Sequence, residues 1–190
     1  DDLYENTDLE VLSIGSNQLS ILPDEIGNLH NLRQLYLHDN LFTILPETIG
    51  QLSKLEILDL GHNRLVSLPE SLGELVNLQF LYTSDNQLET YPQQLGTLHS
   101  LRYLGFTDNL ITHLDMAIGE LKNLAELRLY NNQLATLPDA IGKLANLREL
   151  HLMNNLITTL PDSMGDLSDL RILSLRNNSL THLDDSIGKL

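Results

Sequence analysis

Eight asparagines recur at one fixed interval: Asn17, Asn40, Asn63, Asn86, Asn109, Asn132, Asn155 and Asn178 stand 23 residues apart. A fixed period in this range marks a solenoid, in which each period is one supersecondary unit that buries its apolar face only against its neighbours. Repeated positions build the scaffold. The residues that do the work are therefore expected among positions that change from unit to unit.

Counted from its first leucine, each unit starts at Leu9, Leu32, Leu55, Leu78, Leu101, Leu124, Leu147 or Leu170, and the eighth stops short at Leu190. The pattern is L-x-x-L-x-L-x-x-N-x-L-x-x-L-P-x-x-I-G-x-L-x-x, without insertion. The stretch x-L-x-L-x alternates with period two and predicts a short strand, leucines inward and x residues outward. Identical strands stack in parallel at about 4.8 Å, so eight units predict a sheet about 35–40 Å long. The asparagine amide is expected to bond backbone groups of adjacent turns that would otherwise go unsatisfied.

The return arm L-P-x-x-I-G-x-L is too short for a long helix and predicts about one turn, 3₁₀-like. Proline suits its first helical position, and the glycine suits a C-terminal cap with positive φ. Acids follow the proline in five units, at Asp24, Glu47, Glu70, Asp139 and Asp162. Negative charge is favourable at that end of a helical turn, so much of the acidity reads as a solvated outer face.

The net charge is −15, and it is uneven: residues 1–95 hold 15 acids and 3 bases, residues 96–190 hold 11 acids and 8 bases. Such a field repels phosphate backbones and anionic lipid, which argues against nucleic acid and membrane and for a neutral or basic protein partner. The chain has no cysteine, which excludes disulfides and thiolate metal sites and suits the cytoplasm. No leader and no long apolar run is legible. Asp1–Asp8 is too short to be read as a cap and Leu190 falls inside a unit, so a fragment of a longer protein without capping units is expected.

The variable strand positions are three, five and seven, with position eight beside them. Four of the six tyrosines and one of three phenylalanines fall there. Tyr36, Phe80, Tyr82, Tyr103 and Tyr130 run through units two to six, and Arg128, His151 and Met153 continue the stripe. Tyr, Arg and Met are enriched at interface centres. Aromatics also simply suit strands. Against that second reading, the scaffold calls for no aromatic at these positions, and the first and last units carry small or polar residues there. His38, Asp59, His62 and Asp85 complete the candidate face.

Position eight places Asp39, His62, Asp85 and Asp108 on successive strands. With His38 near, they form either a minimal cation ligand set or, as we read them, a solvated acidic rim with a paired histidine. Thr112-His113-Leu114-Asp115 and Thr181-His182-Leu183-Asp184 replace the expected proline with aspartate, a good N-cap. Thr83 and Tyr91 replace core leucines in unit four, and Phe106 replaces one in unit five. Small beside large conserves volume, so packing compensation is expected, with local reshaping for a ligand as the other reading. No phosphate loop, zinc-binding or nucleophile motif occurs, so no catalysis, cofactor or metal is expected.

From Leu9 to Leu190 the motif resembles the leucine-rich repeat family. The 23-residue L-P-x-x-I-G-x-L form is similar to plant intracellular Ras-group-related repeats, Ras-suppressor and polarity scaffolds, and repeat proteins of pathogenic bacteria. The resemblance implies an α/β repeat solenoid over residues 1–190. It would be a horseshoe with parallel β-strands on the concave face and short helical turns on the convex face. It further implies a protein–protein interaction module that grips a partner on the concave face, and a monomer is expected. It leaves open a recognition domain of a larger enzyme (kinase, GTPase or ubiquitin ligase) and a bacterial effector delivered into a host cell.

Overall fold

The computed structural model describes residues 2–183 and 185–190. Each 23-residue unit forms one coil, and each coil supplies one three-residue strand. These are β1 Val11–Ser13, β2 Gln34–Tyr36, β3 Ile57–Asp59, β4 Phe80–Tyr82, β5 Tyr103–Gly105, β6 Glu126–Arg128, β7 Glu149–His151 and β8 Ile172–Ser174. They form one parallel sheet in sequence order. The register never slips: Leu35 pairs with Leu12 and Leu58, and the same holds along the whole column.

The strands are shorter than the five-residue alternation predicts, although the ladder runs on past them. Leu37 N–H donates to Asp59 O at 2.8 Å and Asp39 N–H to Gly61 O at 2.9 Å. What ends the strand is the residue before the ladder asparagine. Ser16, Asp39, His62, Asp85, Asp108, Asn131, Asn154 and Asn177 all have φ between 52° and 57°. That left-handed turn swings the asparagine inward. Asp, Asn and His, which supply seven of the eight, are the non-glycine types that tolerate it best.

The buried asparagines then tie coil to coil. Asn63 Nδ2 donates to Leu37 O of the preceding coil at 3.1 Å and reaches Leu60 O and Gly61 O of its own at 3.1 Å each. Its Oδ1 accepts from Phe42 N–H of the preceding coil at 3.1 Å. A second ladder joins the coils. Asn31, Asn77, Asn123 and Asn146, just before the next unit's first leucine, each donate to a carbonyl one coil back at 2.7–2.8 Å.

The outer face carries 3₁₀ turns, among them Asp24–Asn28, Glu47–Gln51, Met116–Glu120 and Asp139–Lys143. Two expectations about them need correcting. Proline is the N-cap, not the first helical residue: Pro23 has φ −73° and ψ 156°, and its carbonyl accepts from Ile26 N–H at 3.1 Å. Extended φ/ψ is as natural to proline as the helical start, so the helix simply begins one residue later. Where Asp115 replaces it, the carboxylate caps Ala117 N–H at 2.8 Å; Asp184 lies outside the described residues. The glycines are not positive-φ caps, since no described glycine has positive φ. They are there because adjacent turns pack closely: a Cβ on Gly142 would lie 2.3 Å from Ser163 O.

Inside, Leu35, Leu58, Leu81, Leu104, Leu127 and Leu150 are wholly buried. Each such leucine stabilises by roughly 1.5–3 kcal/mol relative to exposure. Burial falls in the end coils, where Leu9, Ile14, Leu170 and Leu173 are only partly covered. In the fourth and fifth coils, Thr83 and Phe106 are both fully buried, and the Tyr91 and Phe106 rings sit 5.9 Å apart. The small-beside-large substitution therefore fills its own volume. No helix among the described residues is long and apolar enough to cross a membrane.

Candidate functional site

The outward side chains of the strands form one face, and its centre is organised around a missing side chain. Tyr82, Gly105 and Arg128 are register neighbours on β4, β5 and β6. Gly105 leaves a gap between them, and the Tyr103 ring folds over it: a Cβ at Gly105 would meet Tyr103 Oη at 2.8 Å. Tyr103 thereby stacks on Tyr82, with ring centres 4.6 Å apart, and receives the Arg128 guanidinium at 5.7 Å. Offset aromatic pairs contribute about 0.5–1.5 kcal/mol beyond area and exposed cation–π contacts about 0.5–1. The three side chains are thus held in place across three coils.

Glu126 and Glu149 are directly opposed on β6 and β7. Like charges in that relation repel. Arg128 Nε is hydrogen-bonded to Glu126, and His151 Nε2 lies 3.1 Å from Glu149 Oε2. Glu126, Glu149 and His151 bring three ligand atoms within 4.8 Å of one another. Within this cluster Glu126 is the residue that holds the Arg128 guanidinium, and Glu149 is paired with His151.

At the other end of the stripe, Tyr36 donates to Gln34 Oε1 at 3.0 Å and meets the His38 ring edge-on at 6.4 Å. His38 Nδ1 is 3.1 Å from Asp59 Oδ2, an ion-pair distance without the angles of a hydrogen bond. On the rim, His62 Nδ1 pairs with Asp85 Oδ2 at 2.7 Å, while Asp39 accepts from Ser16. The His38/Asp39/His62/Asp85/Asp108 set is therefore divided into pairs rather than gathered around one point. Beyond Asp108 the rim is a relay of amides: Asn177 donates to Asn154, Asn154 to Asn131, and Asn131 to Asp108. His113 Nδ1 contacts Thr112 Oγ1 at 3.2 Å, away from Asp115's capping bond.

The family model described as a leucine-rich repeat region matches residues 7–92 and 85–190. The chain belongs to the leucine-rich repeat family. A leucine-rich repeat protein of Leptospira interrogans is 40% identical, with TM-score 0.96 over 100% of this chain and 48% of that one. The plant peptide hormone receptor RGFR1, solved in complex with RGF2, is 28% identical, with TM-score 0.87 over 99% of this chain and 31% of the receptor. A chain of the octameric complex of latrophilin 3, Unc5D and the leucine-rich repeats of FLRT2 is 25% identical, with TM-score 0.84 over 97% of this chain and 59% of that one. The chain thus spans less than two thirds of the length of each. No curated protein sequence matches it.

In leucine-rich repeat terms, Tyr36, Phe80, Tyr82, Tyr103, Arg128, Tyr130, His151 and Met153 are all half-buried on the strand side. Sequence reading did not reach the Tyr103 ring lying across a neighbouring column. The one hint was a glycine in an otherwise side-chain-bearing column.

The Tyr103 hydroxyl is pushed up to about 12 by burial, against the opposing pull of Arg128. Burial likewise raises Tyr82, with Asp59 adding to it. A raised tyrosine pKa gives stability that is fully present below the unfolded value near 10 and is lost as pH rises through the folded value. Thermal stability is therefore expected to fall between about pH 10 and 12, and Tyr103→Phe should flatten that fall. A melting curve series with phenolate absorbance checks it; an unchanged slope in Tyr103→Phe would assign the alkaline loss elsewhere.

Proposed function

We propose that the chain, as one solenoid through residues 1–190, is a non-catalytic interaction module that binds a protein partner on its strand face. The observation that carries this is the Tyr82–Tyr103–Arg128 stack, fixed across three central coils and half-exposed. Rigid aromatic and arginine side chains lose little freedom on binding, which is why they dominate interface energetics. Tyr36, His38, Asp59, Phe80, Tyr130, His151 and Met153 extend the contact, and His62 and Asp85 form its rim. Complexes of the receptor RGFR1 with RGF2 and of FLRT2 with latrophilin 3 support the same reading. The acidic residues on this face favour a neutral or basic partner, and the chain acts as a monomer.

The test is affinity capture from lysate with the wild-type chain and with Tyr82→Ala/Tyr103→Ala/Tyr130→Ala, read by mass spectrometry. Hot-spot truncations weaken binding by about 2 kcal/mol each or more, so the captured partner should disappear with the variant. Identical profiles from a folded variant would defeat the reading. A second reading, in which this solenoid is the recognition arm of a longer polypeptide, is favoured by its spanning 48% of the Leptospira protein. The complete reading frame decides that point.

A further inference from the structure

One cavity lies on neither the strand face nor the helical face. It is a groove of about 710 Å³ along the edge where each coil turns from its outer helical arm into its strand. Arg33, Lys54, Arg102 and Arg148 line it, and Glu56 is its one acidic lining residue. The whole chain carries 11 bases against 26 acids. Four of those bases thus share one strip with a single acid, and that acid is already paired to Arg33. Lys54 donates to Asn31 Oδ1 at 2.6 Å. Among the described residues, Arg102 and Arg148 have no hydrogen-bonded or ionic side-chain partner. In an acidic protein, two unpaired arginines in one groove are available for an external anion.

We propose that this edge groove is a docking strip for an acidic segment of polypeptide in extended conformation. Charge complementarity selects the anion, and three features select a polypeptide. First, Arg102 and Arg148 sit two coils apart, roughly 10 Å, the reach of about three extended residues. The guanidinium fork takes a carboxylate in a bidentate pair. Second, the second asparagine ladder spends its amide nitrogens on backbone carbonyls, as with Asn77 to Ser53 O and Asn123 to His99 O. That leaves their amide oxygens, with Gln79 and Ser100, as partners for a peptide backbone. Third, no aromatic residue lines the groove, so nothing there stacks a nucleobase. The surrounding charge of −15 also penalises a uniform polyanion that runs past the groove ends. The strip is separate from the strand-face stack, so its test stands or falls independently of the proposed function.

The experiment is fluorescence anisotropy with a fluorescein-labelled peptide of about ten residues, alternating glutamate and serine, long enough to span the strip. Its glutamine counterpart, a heparin oligosaccharide and an oligothymidylate are the comparison probes. Arg102→Ser/Arg148→Ser is compared with Arg64→Ser/Lys143→Ser, which removes the same charge outside the groove. Both pairs are exposed, and a thermal melt verifies that each variant is folded. The expected result is saturable binding of the glutamate peptide at low salt, weakened about tenfold in the groove variant and less than about twofold in the control. Arg102→Lys/Arg148→Lys should restore part of it, because charge returns without the fork. Absence of binding, equal loss in both variants, or stronger binding of heparin or oligothymidylate than of the peptide would each overturn the proposal.

Discussion

Asn109→Ala is expected to lower the unfolding free energy by about 2–4 kcal/mol, since each buried backbone group left without a partner costs about 1–3. Asn109 is 5% exposed. Its nitrogen serves Thr83 O at 3.0 Å, Phe106 O at 3.2 Å and Thr107 O at 3.0 Å, and its oxygen accepts from Leu88 N–H at 3.0 Å. Alanine removes both functions at once. Asn109→Asp sharpens the test. The carboxylate still accepts from Leu88 but faces three carbonyl oxygens, so its ionised form is disfavoured in the folded state. Such a raised pKa means that the variant loses stability as pH rises above the unfolded value of about 3.9. Urea denaturation at acid and neutral pH reads this directly. If Asn109→Ala shifted stability by less than about 1 kcal/mol, the ladder would be ornamental rather than structural.

Gly142→Ala is expected to cost about 1–3 kcal/mol, as overpacking does. Its Cβ would approach Ser163 O at 2.3 Å and Ser163 Cβ at 2.6 Å, and neither atom can retreat without moving the next coil. Gly188 occupies the same place in its own unit, yet a Cβ there meets nothing within 4 Å among the described residues. Gly188→Ala should be neutral, or stabilising by about 0.4–1 kcal/mol through the unfolded chain. Equal destabilisation by both substitutions would return the glycine to a backbone-conformation role. Paired denaturant titrations of the two variants separate the alternatives.

The scaffold is written plainly in the chain because its signal is periodic. Leu12, Leu35 and Leu58 recur at one spacing, and only stacked coils satisfy that spacing. The exceptions follow from what a one-dimensional pattern omits. Glycine is the usual signal for positive φ, so the left-handed turn is expected at Gly27 and its equivalents; it occurs instead at Ser16, Asp39, His62 and the other residues before the ladder asparagines. Their composition carried the hint, since nearly all are Asp, Asn or His. Of the candidate face, the columns are legible but the contacts between them are not. Alternation sends Tyr103 and Gly105 to the same side without saying that one covers the other. The edge groove was illegible for another reason. Arg102 and Arg148 belong to a column that reads as ordinary solvent-facing positions. Only the coil spacing sets them in line with Asn77 and Asn123.

The asparagine ladder also bears on how the length of such a chain changes. From Asn40 onward, each ladder amide reaches back to residues 21 and 26 positions earlier, as Asn63 does to Phe42 and Leu37. Because those offsets are the same at every coil, excising or duplicating one 23-residue block rejoins the ladder with every bond of the same kind. The splice is not neutral everywhere. Between the fourth and fifth coils, Tyr91 is fitted to Phe106 and Thr83 bonds Gly105 O at 2.8 Å. A cut there would set a tyrosine against a leucine-sized neighbour. As far as the ladder goes, the molecule elsewhere can be lengthened or shortened like a chain of equal links; at this seam the links are matched.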